Sequence, residues 1–416
     1  MQRQISNFVL IIEDYLKGIS MKHQLVHEKI KQAVQILNEK NIDAWLIFVR
    51  ESATMRDPSM EVVVGTNCTW QSAFIINRNG DTTAILGSLD VPNMKTVGTY
   101  KNVIGYVQSV KEPLLEYFQT YDPQKIAINY SLHANLADGL THGMFLSLSE
   151  HLKGTPYLNR FVSSEEIIAA LRGRKSASEI ELMKVCVHET ERIFDEVTQF
   201  LQPGKSEKDV ADFIKLKVSE RGFGLAWDED HCPAVFTGPD TAGAHSGPTD
   251  RLIERGHILN IDFGVKINGF CSDMQRTWYF AQNDETSVPP AVQRGFDVLC
   301  ESINQAAIIV KPGMQGCEID DAARNFITQN GFSEYLHGLG HQVGRDAHDG
   351  GSGFFPRWER YGNLPFIHIE KDQVYTIEPR LMVEGHGIVT MEEEIVVTEN
   401  GCQYLSHPQK TLWIVR

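Results

Sequence analysis

From about Val26 to Asn41 the apolar residues recur at helical spacing and predict an amphipathic helix. A β-rich run, Asp43 to Val49, follows. Further strand candidates are Glu61–Val64, Ser72–Ile76, Thr82–Leu86 and Lys125–Tyr130, with helical patterns at Lys111–Tyr121 and Asn135–Leu152. Strands and helices mixed over roughly 130 residues predict a small α/β domain.

The pattern changes near residue 160. Ser163-x-x-Glu166 and Ser176-x-x-Glu179 both read as capping boxes, each opening a helix, and the second helix is expected to run to Phe200 before Pro203-Gly204. A weak repeat then emerges. Pro203-Gly204 and Gly222-Phe223 recur as Pro312-Gly313 and Gly331-Phe332, at an offset of 109 residues, with a helical segment between the marks in each copy. Two related α/β halves about a pseudo-twofold are expected.

A chain of 416 residues exceeds one ordinary core and implies two domains. Its 39 Lys and Arg against 54 Asp and Glu leave a net charge of −15, the wrong sign for nucleic acid or an anionic membrane. Seven scattered cysteines without C-x-x-C suggest neither a disulfide framework nor a thiolate metal site, so a reducing, cytoplasmic setting is expected. The apolar run Phe8–Ile12 is too short to span a bilayer, and Glu13-Asp14 follows it. Met21 is an alternative start, which makes residues 1–20 an extension.

The chemistry gathers in the second half. Asp262 lies in a strand-like run, Ile258–Gly264, Asp273 lies in another, Phe270–Tyr279, and Asn268-Gly269 between them signals a hairpin. A two-residue turn sets Gly264 opposite Asp273 and makes Asp262 and Asp273 diagonal neighbours on one face. A second hairpin about the 384–387 tip sets Glu378 close to Glu392, with Glu393 and Glu394 as strand neighbours, one of them facing outward. Between the hairpins lies the glycine-rich segment His337 to Gly344, which holds His341. Buried like charges repel unless a cation lies between them. Four carboxylates and one imidazole suit Mn²⁺, or Zn²⁺, Co²⁺ or Fe²⁺, and carry more charge than one divalent ion needs. Two ions are therefore expected. The acidic run Asp228-Glu229-Asp230-His231 is read as a solvated loop, and Cys271 as a packed thiol.

Asp262-x10-Asp273, His337-x3-His341-x6-His348, Glu378-Pro379 and Glu392-Glu393 together resemble the pita-bread metallopeptidases, in the branch of Xaa-Pro aminopeptidase, prolidase and creatinase. The resemblance covers about residues 164 to 416. It implies a creatinase-like N-terminal α/β domain over 21–160 and a pita-bread catalytic domain over 161–416. It also implies metal ligands at Asp262, Asp273, His341, Glu378 and Glu392, with Glu378 as general base toward a metal-bridging hydroxide. His245 matches a substrate-side histidine, and His337 and His348 match histidines that orient ligands and steady the oxyanion. The branch implies a homodimer that cleaves small peptides.

Three positions depart from the branch. Thr390 stands where it usually has arginine, Arg380 where it has glycine, and Met382 where an aromatic is frequent. Arg357, Arg360 and Arg380 are candidate replacement cations. The expected activity is hydrolysis of the N-terminal Xaa-Pro bond. The alternatives are the same metal site acting on a non-peptide amide, ester or lyase substrate, or a binding module that has lost catalysis.

Overall fold

The computed structural model describes residues 2–132, 134–241 and 247–416, with side chains from Met21 onward. The chain divides into two compact units, Met1–Arg172 and Gly173–Arg416.

The first unit contains α1 (Gln2–Glu39), β1 (Ala44–Val49), β2 (Ser72–Asn77), β3 (Thr82–Gly87), α2 (Val91–Val97) and β4 (Asn102–Tyr106). There follow α3 (Lys111–Tyr121), β5 (Ile126–Ile128), α4 (His142–His151), β6 (Phe161–Ser163) and α5 (Glu165–Gly173). The six strands form one sheet in the order β4-β3-β2-β1-β5-β6, with β2 antiparallel to its neighbours. β1 is apolar at every position because both its faces are covered. Trp45, Ile47 and Val49 pack with Val26, Ile30 and Ala33 of α1 and Ile167, Ile168 and Leu171 of α5. Ala44, Leu46 and Phe48 pack with Leu114 and Phe118 of α3 and Leu148 of α4.

Three expectations are corrected here. Glu61–Val64 belongs to a π-helix, Met60–Val64, closed by Gly65 at φ 79°. Its apolar run suits a buried helical turn as well as a strand, and periodicity does not separate the two over so few residues. Helix α1 begins at Gln2, so residues 2–20 run into the same helix that was expected from Val26. Ser163 does not cap through Glu166, because α5 starts at Glu165 and the Ser163 hydroxyl accepts from Glu165 N at 3.1 Å. Helix α5 buries its apolar face in the first core, which extends that compact unit to Arg172.

The second unit opens with α6 (Ala177–Phe200), capped by the expected Ser176–Glu179 box. Next come α7 (Glu207–Glu220), β7 (Gly224–Leu225), β8 (Ala234–Thr237), β9 (Ile258–Phe263), β10 (Val265–Ile267), β11 (Phe270–Cys271) and β12 (Met274–Phe280). They are followed by α8 (Pro290–Ile309), α9 (Gly316–Gln329), β13 (Gly340–His341), β14 (Gly353–Phe354) and β15 (Val374–Ile377). The last strands are β16 (Arg380–Val383), β17 (Gly387–Thr390), β18 (Glu393–Val397), β19 (Cys402–Tyr404) and β20 (Trp413–Val415). The 109-residue repeat survives in three dimensions, for α7 and α9 begin and end at that same offset. The glycines that flank them, Gly204 and Gly313 before and Gly222 and Gly331 after, all take positive φ. Leu381, Val383 and Val389 join the α8–α9 core, so the opposite face of β16–β17 is free to carry chemistry.

Candidate metal centre

The first hairpin turns through Asn268 (φ 51°) and Gly269 (φ 83°), the two left-handed positions a tight primed turn needs. Lys266 pairs with Cys271 and Asp262 with Gln275, so Asp273 lies in register with Gly264, diagonal to Asp262. The ladder opens at that point. A Cβ on Gly264 would overlap Ser272 O, and the Asp273 N–H leaves the ladder to donate to Glu394 Oε1 at 2.7 Å.

The second hairpin holds one register through two pairs of strands. Ile377 pairs with Glu393 and Arg380 with Thr390, which leaves Glu378 across from Glu392 in the gap between them. Pro379 has no N–H to carry the ladder through. Glu378 N bonds to Leu339 O at 2.7 Å, and Glu392 N bonds to Gln275 O at 3.2 Å, joining the two hairpins.

His341 enters from β13. Its backbone N–H donates to Thr376 Oγ1 at 3.1 Å, and Gly340 is needed because a Cβ there would overlap Thr376 O. Its Nδ1 lies 3.3 Å from Gln342 O, so with the proton on Nδ1 the Nε2 lone pair faces the carboxylates. Nε2 is 3.4 Å from Glu378 Oε1, 3.7 Å from Asp273 Oδ2 and 3.9 Å from Glu392 Oε1. Donor atoms of Asp273, His341 and Glu392 all lie within 4.8 Å of one another.

The electrostatics are those of a cluster of buried carboxylates that a cation would stabilise. Burial pushes the Asp262 carboxyl up to about 7. Burial, then the charges of Asp262 and Glu378, drive Asp273 well above the carboxylate range. Burial and Asp262 do the same to Glu378, and burial with Asp273, Glu378 and Asp262 to Glu392. Burial, then His348, lowers His341 to about 3, which keeps it neutral and able to ligate. Asp262 Oδ1 and Glu392 Oε1 are buried without a hydrogen-bond partner among the described residues. Desolvated oxygens of this kind are costly unless a ligand takes them. The donor set therefore suits a divalent cation, with Asp273, His341 and Glu392 the donors that converge.

The surrounding histidines divide. His348 packs edge-on against His341, with ring centroids 4.1 Å apart. His337 places Nδ1 2.7 Å from Gly338 O and its ring 5.1 Å from Tyr335. His245 lies outside the described residues. Asp228 to His231 are exposed, as a solvated loop should be, and Cys271 is a buried thiol between Ala226 O and Arg345 O. One expectation fails, because neither Glu393 nor Glu394 faces outward. Glu393 is buried against Arg276 at 3.1 Å, and Glu394 is buried on Asp273 N.

Sequence reasoning missed Gln275. Its Nε2 donates to Glu392 Oε2 at 3.0 Å and Glu378 Oε2 at 3.3 Å, and Thr390 Oγ1 donates to its Oε1 at 2.6 Å. The available signal was parity, since Gln275 stands two residues after Asp273.

The fold and this donor set are those of a metal-dependent peptidase. The model of metallopeptidase family M24 matches residues 181–399, and the chain belongs to that family. An uncharacterized peptidase of Staphylococcus saprophyticus is 27% identical over 340 residues, spanning 81% of this chain and 88% of its own. Two solved structures share the fold. The Xaa-Pro dipeptidase from Bacillus anthracis has a TM-score of 0.72 at 21% identity and covers 94% of this chain and 100% of its own. The X-Pro aminopeptidase from Thermotoga maritima has a TM-score of 0.68 at 24% identity, with coverages of 93% and 99%.

Proposed function

We propose that this M24 peptidase hydrolyses the N-terminal Xaa-Pro bond of small peptides, using two divalent ions, manganese foremost, held by Asp262, Asp273, His341, Glu378 and Glu392. The observation that carries the metal part is the convergence of Asp273, His341 and Glu392 donors within 4.8 Å. The likeness to an Xaa-Pro dipeptidase and an X-Pro aminopeptidase supports the substrate.

When bound, the ions supply Lewis acidity toward the amide carbonyl and the attacking water. The chain's own residues do the rest. Glu378 accepts the proton of the attacking water on its carboxylate and passes it to the leaving amine. Gln275 holds Glu378 from the side of Oε2, at 3.3 Å, and leaves Oε1 toward the centre. His348, packed on His341, and His337 steady the developing oxyanion, with His245 as a third group for the same task. The seven free cysteines are in keeping with a reducing, cytoplasmic setting, and the homodimer is carried over from the family resemblance alone. No described helix is long and apolar enough to cross a membrane.

The departures at Thr390, Arg380 and Met382 favour one second reading, a non-peptide substrate at the same metals. Incubation with Mn²⁺ and a panel of Xaa-Pro dipeptides, Xaa-Pro-Xaa tripeptides and proline-free peptides, read by mass spectrometry, separates the two. Cleavage confined to peptides with proline in second position is expected. Metal-bound protein that cleaves no peptide overturns the proposal in favour of the second reading.

A further inference from the structure

Residues 332–339 belong to no helix or strand, yet they carry His337 and lead into β13 and His341. Their backbone groups therefore need partners from elsewhere. Arg324 of α9 donates to two of the carbonyls, Tyr335 O at 2.6 Å from Nη1 and His337 O at 2.7 Å from Nη2. Arg360, in the short 3₁₀ helix Glu359–Tyr361, donates to the one between them, Leu336 O, at 2.6 Å. Two arginines thus close on three successive carbonyls. His337 stands near enough to His341 for its charge to act on that imidazole.

Both jaws are themselves fixed. The other donors of Arg324 go to Asp320, at 2.7 and 2.9 Å, and to Glu334 at 3.3 Å, so all five of its N–H groups are engaged. Asp320 also accepts Leu339 N at 3.0 Å, and Leu339 O accepts Glu378 N at 2.7 Å, which carries the same frame on to Glu378. The Trp358 ring joins the jaws, with the Arg324 guanidinium 4.9 Å and that of Arg360 4.7 Å from its centroid. An aromatic face attracts each cation and lowers the cost of bringing the two together. Arg324 also lies 4.0 Å from the Tyr335 ring, and that ring 5.1 Å from His337.

We propose that Arg324 and Arg360 are positioning residues, which clamp residues 335–337 around Trp358 and so fix the His337 imidazole beside the metal centre. The inference rests on the hydrolase reading above, in which His337 steadies the oxyanion. With its donors spent on the chain, Arg324 acts on the reaction only through that backbone. Misplacing a reacting group by about 1 Å can cost on the order of a hundredfold in rate. Loss of the clamp therefore acts on kcat and spares KM and metal binding.

Arg360 is the jaw to test, because it is exposed and its loss spares the buried Arg324–Asp320 pair. Initial rates of Ala-Pro hydrolysis by the Mn²⁺-loaded full chain are compared in wild type, Arg360→Gln, Arg360→Lys, His337→Asn and the double variant R360Q/H337N. R360Q should lower kcat by about tenfold or more, with KM and bound metal as in wild type. R360K should recover part of the loss, since an ammonium still donates. In the His337→Asn background R360Q should change kcat by less than about twofold, because the group it acts through is gone. A wild-type kcat in R360Q, a loss in KM or metal instead, or the same loss in both backgrounds overturns the inference while leaving the hydrolase reading intact. Histidine ¹³C NMR with Zn²⁺ in place of Mn²⁺ adds a readout independent of turnover. The signal that vanishes in His337→Asn should shift or broaden in R360Q, while that of the exposed His407 stays. If the wild type cleaves no Ala-Pro, the hydrolase reading fails and the spectra decide the clamp, as they do if His337→Asn is too slow to measure. A His337 signal that moves in R360Q supports it, and one that does not overturns it.

Discussion

The Thr390 hydroxyl donates to Gln275 Oε1 at 2.6 Å, and this contact fixes which end of the Gln275 amide faces the carboxylates. With the oxygen engaged, the NH₂ group spans Glu378 and Glu392. A flipped amide would turn its oxygen toward two acidic groups. Thr390→Val removes the hydroxyl at nearly constant size. The variant should lose about 1 kcal/mol or more of stability, together with at least a severalfold drop in kcat/KM. Denaturant unfolding and initial rates check both, and a variant that matches wild type in each contradicts the role given to Thr390.

Gln275→Glu puts a further carboxylate among four. The metal-free variant should melt below wild type by a margin that is larger at pH 8 than at pH 5, and Mn²⁺ should narrow the gap. Equal losses at both pH values, unaffected by metal, would show that only packing had changed.

Arg276 and Glu393 form an ion pair at 3.1 Å with both side chains all but fully buried. Arg276→Met strands the carboxylate and should cost about 3–5 kcal/mol, whereas adding Glu393→Leu should recover much of that loss. Chemical denaturation of the two single variants and the double measures the coupling. Additive losses contradict the pairing.

A side chain at Gly264 meets Ser272 O, across the break that sets Asp262 and Asp273. Gly264→Ala should destabilise the protein by about 1–3 kcal/mol, as overpacking does, and lower the metal retained per chain. Unaltered melting and metal content would mean that the hairpin relaxes at no cost.

The carboxylates also set a pH dependence. Asp262, raised to about 7, and Glu394, raised to about 8, keep protons in the metal-free fold that the unfolded chain has released. Their contribution is complete below about pH 4 and is lost as pH rises through those folded values. His341, lowered to about 3, acts in the opposite sense. Its contribution is present above its ordinary 6.5 and is lost as pH falls toward 3. Between about pH 6.5 and 8 His341 stays neutral while the buried carboxylates titrate, so the metal-free protein should lose stability there, while Mn²⁺, which replaces the protons, should flatten the slope. Thermal melts across that interval check it, and metal-free stability that rises with pH contradicts it.

Both hairpin registers were legible because turn chemistry fixes pairing. Asn268-Gly269 and the 384–387 tip determine which residues meet, and those residues are the carboxylates. Helix α6 was legible to its last residue from its capping box and Pro203-Gly204. What escaped was set by tertiary context. Met60–Val64 reads as a strand until the core that surrounds it is known. Glu393 and Glu394 read as half-exposed until Arg276 and the Asp273 amide are found to take them inside. Gln275 was overlooked because an amide has no charge to flag it, although strand parity put it on the right face. Arg380 was noticed as a departure, but its place opposite Thr390 needed the observed pairing.

The most direct test titrates chelator-stripped protein with Mn²⁺ while following bound metal per chain and Ala-Pro hydrolysis together, in wild type, Asp262→Asn and His341→Ala. The account predicts two ions per wild-type chain, with hydrolysis appearing only as metal binds, and loss of both binding and turnover in the folded variants. Hydrolysis by the stripped protein, or undiminished metal binding and turnover in either variant, would contradict it.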